Sequence, residues 1–162
     1  MVVHLQSLIS LRRNAEDAAG QALAQAIAVR EREERQQERL AEAWRTARQG
    51  LDEEKQRQQA APAPATAAIG QARALYRRRL EGEVTRAATI AAQHRDTVFA
   101  GAVRREETAR QALAQARAER EAVEKLEAAK ETEAQKIADR RAEDAASDLA
   151  QAARIRRKSD SH

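Results

Sequence analysis

Few side chains in this 162-residue sequence have the types and spacing for chemistry. There are three histidines, His4, His94 and His162, and no cysteine. None of the histidines sits in a ligand pattern such as H-E-x-x-H, so no metal centre is expected. Zero Cys excludes a disulfide framework and thiolate chemistry. There is no glycine-rich phosphate loop and no G-x-S-x-G elbow. The 26 acidic residues fall on helical, solvated faces. There a general acid has no pocket to shift its pKa. We therefore expect neither an enzyme nor a cofactor.

What remains is recognition chemistry. Arg77-Arg78-Arg79 forms one basic cluster, and Arg154, Arg156, Arg157 and Lys158 form another. Basic side chains gain affinity by neutralising phosphates. Here Glu81, Glu83, Asp144 and Asp148 lie within reach of them, and stacking aromatics are missing. A solvated charged face is the plainer reading, and no nucleic-acid partner is expected. Trp44, the one Trp, is either an interface anchor or a side chain packed near Gly82, where a missing side chain leaves room.

The elements that must position these groups follow from composition. Ala (40), Arg (25), Glu (19), Leu (11) and Lys (5) make up 100 of 162 residues, the bias of long helices and coiled coils. Leu, Ile, Val and Phe are only 25 residues and aromatics 2%, too few for a globular core or for sheets. A mean hydropathy of -0.80 would suit disorder. The balance of 30 basic against 26 acidic residues and the strong helix formers argue against it. No apolar run approaches the ~20 residues that cross a bilayer. Met1 to Leu11 is followed, not preceded, by Arg12 and Arg13, the reverse of a signal peptide. The expectation is a cytoplasmic protein with no direct membrane insertion.

Both prolines lie in Ala60-Ala61-Pro62-Ala63-Pro64-Ala65-Thr66. Proline removes a donor and clashes with the preceding turn, so a helix must stop here, and Thr66 is placed to cap the next one. Before this break, Leu5, Leu8, Leu11, Ala15, Ala19, Ala22, Ala26 and Val29 recur in threes and fours, with a 4,4 stutter at Leu11–Ala15–Ala19; the series passes weakly through Glu33 and Gln36 and resumes at Leu40, Ala43, Ala47 and Gly50. After it come Ile69, Arg73, Tyr76, Leu80, Val84, Ala87, Ala91, His94, Val98 and Ala102, and then Ala109, Ala112, Ala116, Val123 and Leu126. The fold class expected is all-α: two long helices in an antiparallel coiled-coil hairpin spanning 1–162, the second longer. Helix 1 covers about 3–59, the turn 60–66 and helix 2 about 67–157, with a disordered tail at 158–162. Folding at the prolines sets Val3 against about Val123 and leaves roughly 34 residues of helix 2 without cover, ~50 Å at 1.5 Å per residue. Leu126, Ile137, Leu149 and Ile155 in that tail call for a partner.

These residues also carry a resemblance. Ala43-Trp44-Arg45 followed by Leu51 is similar to an aromatic-Arg pair late in the first helix of the stalk proteins of flagellar and type III secretion export ATPases (FliJ-like and YscO/SctO-like). Gln93-His94-Arg95 resembles a Gln-His-Arg segment in the second helix of some flagellar members. Val123-Glu124-Lys125-Leu126 and the charged run to Asp148-Leu149-Ala150 resemble its end. A tip longer by a turn or two and a Pro-Ala turn depart from the family. The resemblance implies a non-enzymatic central stalk, cytoplasmic and peripheral to an inner-membrane export apparatus, closer to injectisome than to flagellar members. It would couple a hexameric secretion ATPase to the cytoplasmic ring of the export gate and promote protein secretion. Export chaperones are further candidate partners. The implied gate contacts are Leu40, Trp44, Ala87, Ile90 and His94. The implied ATPase contacts are Leu5, Leu8, Arg12, Arg140, Arg141, Leu149, Arg154, Ile155, Arg156 and Arg157. A cytoplasmic coiled-coil adaptor or chaperone-escort protein is the first alternative, and a basic helical nucleic-acid binder the second.

Overall fold

The structure is a computed structural model that describes residues 2–159, with side chains from 5 to 156. Helix α1 runs Val2–Ala60. A second helical arm runs from Ala67 to Ser159 and is longer: α2 (Ala67–Gln93), a π-helical turn (His94–Phe99) and α3 (Ala100–Ser159). Among the described residues only 61–66 lie outside helices, and there is no strand. Lys158 and Ser159, placed in the expected tail, are helical in backbone; 160–162 lie outside the described residues. No helix of the described residues is long and apolar enough to cross a membrane.

The proline segment is a built turn. Ala61 N–H still reaches Arg57 C=O at 3.0 Å. Thr66 is extended and its hydroxyl accepts from Ile69 N–H at 3.3 Å, satisfying a donor that the new helix leaves orphaned. Arg73 donates to Pro62 C=O at 3.2 Å. Gly70 lies against Pro64, whose Cγ would sit 3.4 Å from an added Cβ, so the turn closes tightest where a side chain is missing.

The chain separates into two compact units. In Ala19–Leu113, the covered positions of α1 step by threes and fours: Ala19, Leu23, Ala26, Arg30, Glu33, Gln37, Leu40, Trp44, Ala47, Leu51, Glu54 and Gln58. This is an unbroken heptad seam. Its facing positions are Leu80, Val84, Ala87, Ala91 and His94, and then Phe99, Ala102, Glu106, Ala109 and Leu113. Contacts between the two stretches descend in order. Gln58 donates to Arg73 C=O at 3.2 Å, Gln37 to Ala91 C=O at 3.3 Å, and Arg30 pairs with Glu106 at 2.7 Å. Alanine at so many seam positions buries little area. The core is correspondingly thin, with Leu51 at 7% exposure and Ala102 at 1%.

From His94 to Phe99 the seam advances by five residues, which a regular α-helix would carry off the face. The π turn absorbs the extra residue: Ala100 N–H reaches back five residues to Arg95 C=O. Ile69, Tyr76, Val98, Ala112 and Leu126, expected on the seam, are exposed, and Phe99 takes the place of Val98.

The other unit joins Met1–Ala18 to Ala114–His162. Its seam in α1 is Leu5, Ile9, Arg12 and Glu16, facing Ala116, Arg120, Val123 and Glu127. The large aliphatic here is Ile9, while Leu11 is exposed. The expected stutter at Leu11–Ala15–Ala19 is therefore absent; the seam passes through Arg12 and Glu16. Ion pairs supplement the scarce apolar contact. Arg12 bonds Glu119, Arg13 bonds Glu124 at 3.1 Å, and Glu16 takes Arg117 at 3.2 Å and Arg120 at 2.5 Å. Arg12 thus meets a residue about five positions beyond the partner that pairing Val3 with Val123 implies. Cover ends correspondingly later, at Glu127, and every described side chain from 128 to 156 is exposed.

Truncating Leu51 should cost about 2 kcal/mol, the low end for a buried Leu→Ala change, because its seam has open flanks. Leu149→Ala should stay within about 0.5 kcal/mol, as exposed substitutions do. Urea melts followed by circular dichroism compare the two, and equal losses would contradict the seam described here.

Candidate functional site

Two surfaces bear on recognition. The first is built by α1 and α2 within Ala19–Leu113. Leu40 and Ala87 occupy facing seam positions, and Ile90 stands at the edge, 52% exposed. With Ala43, Glu83 and Arg86 they line an open groove of about 290 Å³, apolar along its floor. The fold thus brings together three of the five side chains implied as gate contacts. Trp44 lies one turn from Leu40 and is half-buried, with the Arg48 guanidinium 5.7 Å from its ring centre, within cation–π range. Nothing lies within 4 Å of the position of a Cβ at Gly82, so that glycine is not needed to make room for the indole. His94 differs from the rest. Its ring turns into the seam and bonds Gln37 and Glu33, so it is engaged within the fold.

The seam missed by reading Leu5, Leu8 and Leu11 as a series is polar over much of its length. Glu106 is buried at 6% exposure. It meets Arg110 at 2.5 Å and Arg30 at 2.7 Å. The Arg30 contact falls short of hydrogen-bond alignment at Nε, so attraction between the charges is its main component. Burial works to lower the Arg30 pKa, but the charges of Glu106 and then Glu34 outweigh it and leave it raised. The signal for this face was in the sequence: Ile9, Leu23 and Leu51 are separated by multiples of seven.

The second surface is the end of α3. Arg140, Arg141, Leu149, Arg154, Ile155 and Arg156 are all exposed, Leu149 at 73%. The side chain of Arg157 lies outside the described residues, as do those of His4 and His162. Of the α1 residues implied alongside them, Leu5 is half-buried, Leu8 exposed, and Arg12 bound to Glu119. Leu5 and Arg12 are therefore seam residues first, while the α3 residues are uncovered. Ile137 is exposed on the same stretch. Among the described residues no three His, Asp or Glu side chains gather as a metal cage.

No protein-family model, curated protein or solved structure matches the chain.

Among the described residues, three carboxyls are held below their ordinary range. Glu33 is lowered by its hydrogen bonds from His94 and Arg32, Asp96 by its bond from Arg95, and Glu124 by bonds from Arg13 and Arg120. A carboxyl lowered by folding adds stability that is present above its unfolded value, near 4. That stability is lost as the pH falls through the lowered folded value. The melting midpoint should therefore drop on acidification below about pH 4. A midpoint that holds steady down to about pH 2 would show that these bonds do not contribute.

Proposed function

We propose that this chain is a non-enzymatic central stalk of a type III secretion system, folded as an antiparallel coiled-coil hairpin. It couples a hexameric export ATPase to the export gate from a cytoplasmic position at the inner-membrane apparatus. The observation that carries the reading is the stretch of α3 from 128 to 156, helical and exposed throughout. A helix this long without tertiary cover keeps its order through propensity and i,i+4 pairs alone, and it carries Ile137, Leu149 and Ile155 uncovered. Such a face suits insertion into a ring.

In this reading the ATPase meets Leu5, Leu8 and Arg12 with Arg140, Arg141, Leu149, Arg154, Ile155, Arg156 and Arg157. The gate meets Leu40, Trp44, Ala87, Ile90 and His94. The groove between Leu40, Ala87 and Ile90 supports a docking role for that region, since an apolar floor with a charged rim is ordinary interface anatomy. His94 contributes by holding the neighbouring seam. Export chaperones are further proposed partners. Coupling needs no hydrolysis by the stalk; a pair of helices transmits force because its packed positions cannot deform independently.

The adaptor alternative shares the fold and lacks the ATPase. Adding the full chain at micromolar concentration to a purified export ATPase should raise hexamer formation and hydrolysis several-fold, read by light scattering and phosphate release. No change in either favours the adaptor. Duplex affinity that falls steeply with salt would favour the nucleic-acid alternative instead.

Removing 140–162 should abolish ATPase binding in a pull-down while circular dichroism still reports a helical chain. Retained binding would reverse the proposed polarity.

A further inference from the structure

In the unit that joins Met1–Ala18 to Ala114–His162, cover of α3 by α1 stops at Glu127, but the pattern that built the seam runs on. The covered positions of α3 follow two lines of sevens. Arg120 and Glu127 lead on to Ala134, Arg141, Asp148 and Ile155. Ala116 and Val123 lead through Lys130 to Ile137 and Asp144. All of these later side chains are exposed, Ile137 at 44% and Ile155 at 69%. They repeat the mix of the covered seam, where aliphatic side chains alternate with Arg and acidic ones. In the covered part the charges are answered across the seam: Arg12 bonds Glu119, and Glu16 takes Arg117 and Arg120. In the uncovered part they are not. Arg141, Asp144 and Asp148 make no ion pair among the described residues.

We propose that the face of α3 bearing Ile137, Arg141, Asp148 and Ile155 is a self-association surface, occupied by the same stretch of a second copy of this chain running antiparallel. The charges select the occupant's direction. In a parallel pair, two-fold symmetry sets each position beside itself, so Arg141 would meet Arg141 and Asp148 would meet Asp148. In an antiparallel pair with its two-fold axis near Ala145, the order reverses. Arg141 of each copy then lies within one turn of Asp144 and Asp148 of the other, and the symmetry makes that contact twice. The same alignment brings Ile137 within a turn of Ile155 of the second copy. It also sets Leu149 against Ala142, large against small, as close packing requires.

The exposed stretch from 128 to 156 is about 43 Å long at 1.5 Å per residue, room for several layers of a coiled coil. Covering Ile137, Leu149 and Ile155 on both copies removes large apolar side chains from water, and each such burial outweighs an exposed ion pair. Apolar burial therefore supplies most of the affinity, and the ion pairs supply direction and register. The inference goes beyond the stalk reading and does not depend on it, since the self-pair forms without an ATPase. The two readings meet at Arg141, Leu149 and Ile155, which a self-pair keeps covered until an ATPase displaces one copy.

Sedimentation equilibrium of the full chain by itself, from low to high micromolar, should show the mass rising from 18.0 kDa toward twice that value. R141D sets acid against acid at both symmetric contacts and should weaken self-association about tenfold, a change of about 1.4 kcal/mol. R141D/D144R/D148R exchanges the signs and should restore it, an outcome that mere loss of helix would not give. The chain has no cysteine, so A138C and A152C each carry a single thiol. When the two variants are mixed and oxidised, antiparallel pairing should join 138 of one copy to 152 of the other. A mass that stays at 18.0 kDa, charge variants that associate as the unaltered chain does, or disulfides that join only like positions would overturn the proposal. A chain that binds the ATPase yet never pairs with itself would keep the stalk reading and discard this one.

Discussion

A mismatch of one residue governs the packing of Ala19–Leu113. On α1 the covered positions keep strict heptad steps through Leu40, Trp44 and Leu51, whereas the facing arm carries one residue too many between His94 and Phe99. A uniform α-helix would turn that residue's worth of rotation into misplacement of Ala102 and Glu106. The π turn confines the error to a single turn. Ala102 can then lie at 1% exposure, close enough for the seam to shut on an alanine. The Arg30–Glu106 pair, beyond the turn, depends on that local widening.

The seam itself is unusual in what it encloses. Arg30, Glu33, Gln37 and Glu106 occupy positions that Leu would fill in a strongly stable coiled coil. Polar seam residues lower stability, but they match only in one alignment, since each acceptor must find its donor. In Ala19–Leu113 the alignment is set by Gln37 to Ala91, His94 to Glu33 and Arg30 to Glu106. In the other unit it is set by Glu16 with Arg117 and Arg120. Bonds of this kind specify partners where alanine contacts, being nearly interchangeable, cannot.

The groove at Leu40, Ala87 and Ile90 and the exposed end of α3 use the same material in opposite ways. At the groove, large apolar side chains stand beside small ones, so a concavity forms between two helices. From 128 onward there is no facing helix to form a concavity, and the apolar side chains project singly. A single helix presents a ridge, which fits into a partner's cavity.

Helix type, the break at Pro62 and Pro64, the Thr66 cap and the greater length of the second arm were all legible in the residues, because propensity and proline sterics act locally. The later end of cover, at Glu127, was not. It depends on which side chains face each other, and in an alanine-rich chain several alignments differ by little apolar area. Reading Leu5, Leu8 and Leu11 as one face chose the conspicuous residues over Ile9, Leu23 and Leu51, whose spacing in sevens is the quieter and correct signal. The π turn left no local trace in His94–Phe99, since the cause lies across the seam. Local chemistry thus decided what each segment becomes, and long-range pairing of charge and shape decided where each segment meets the next.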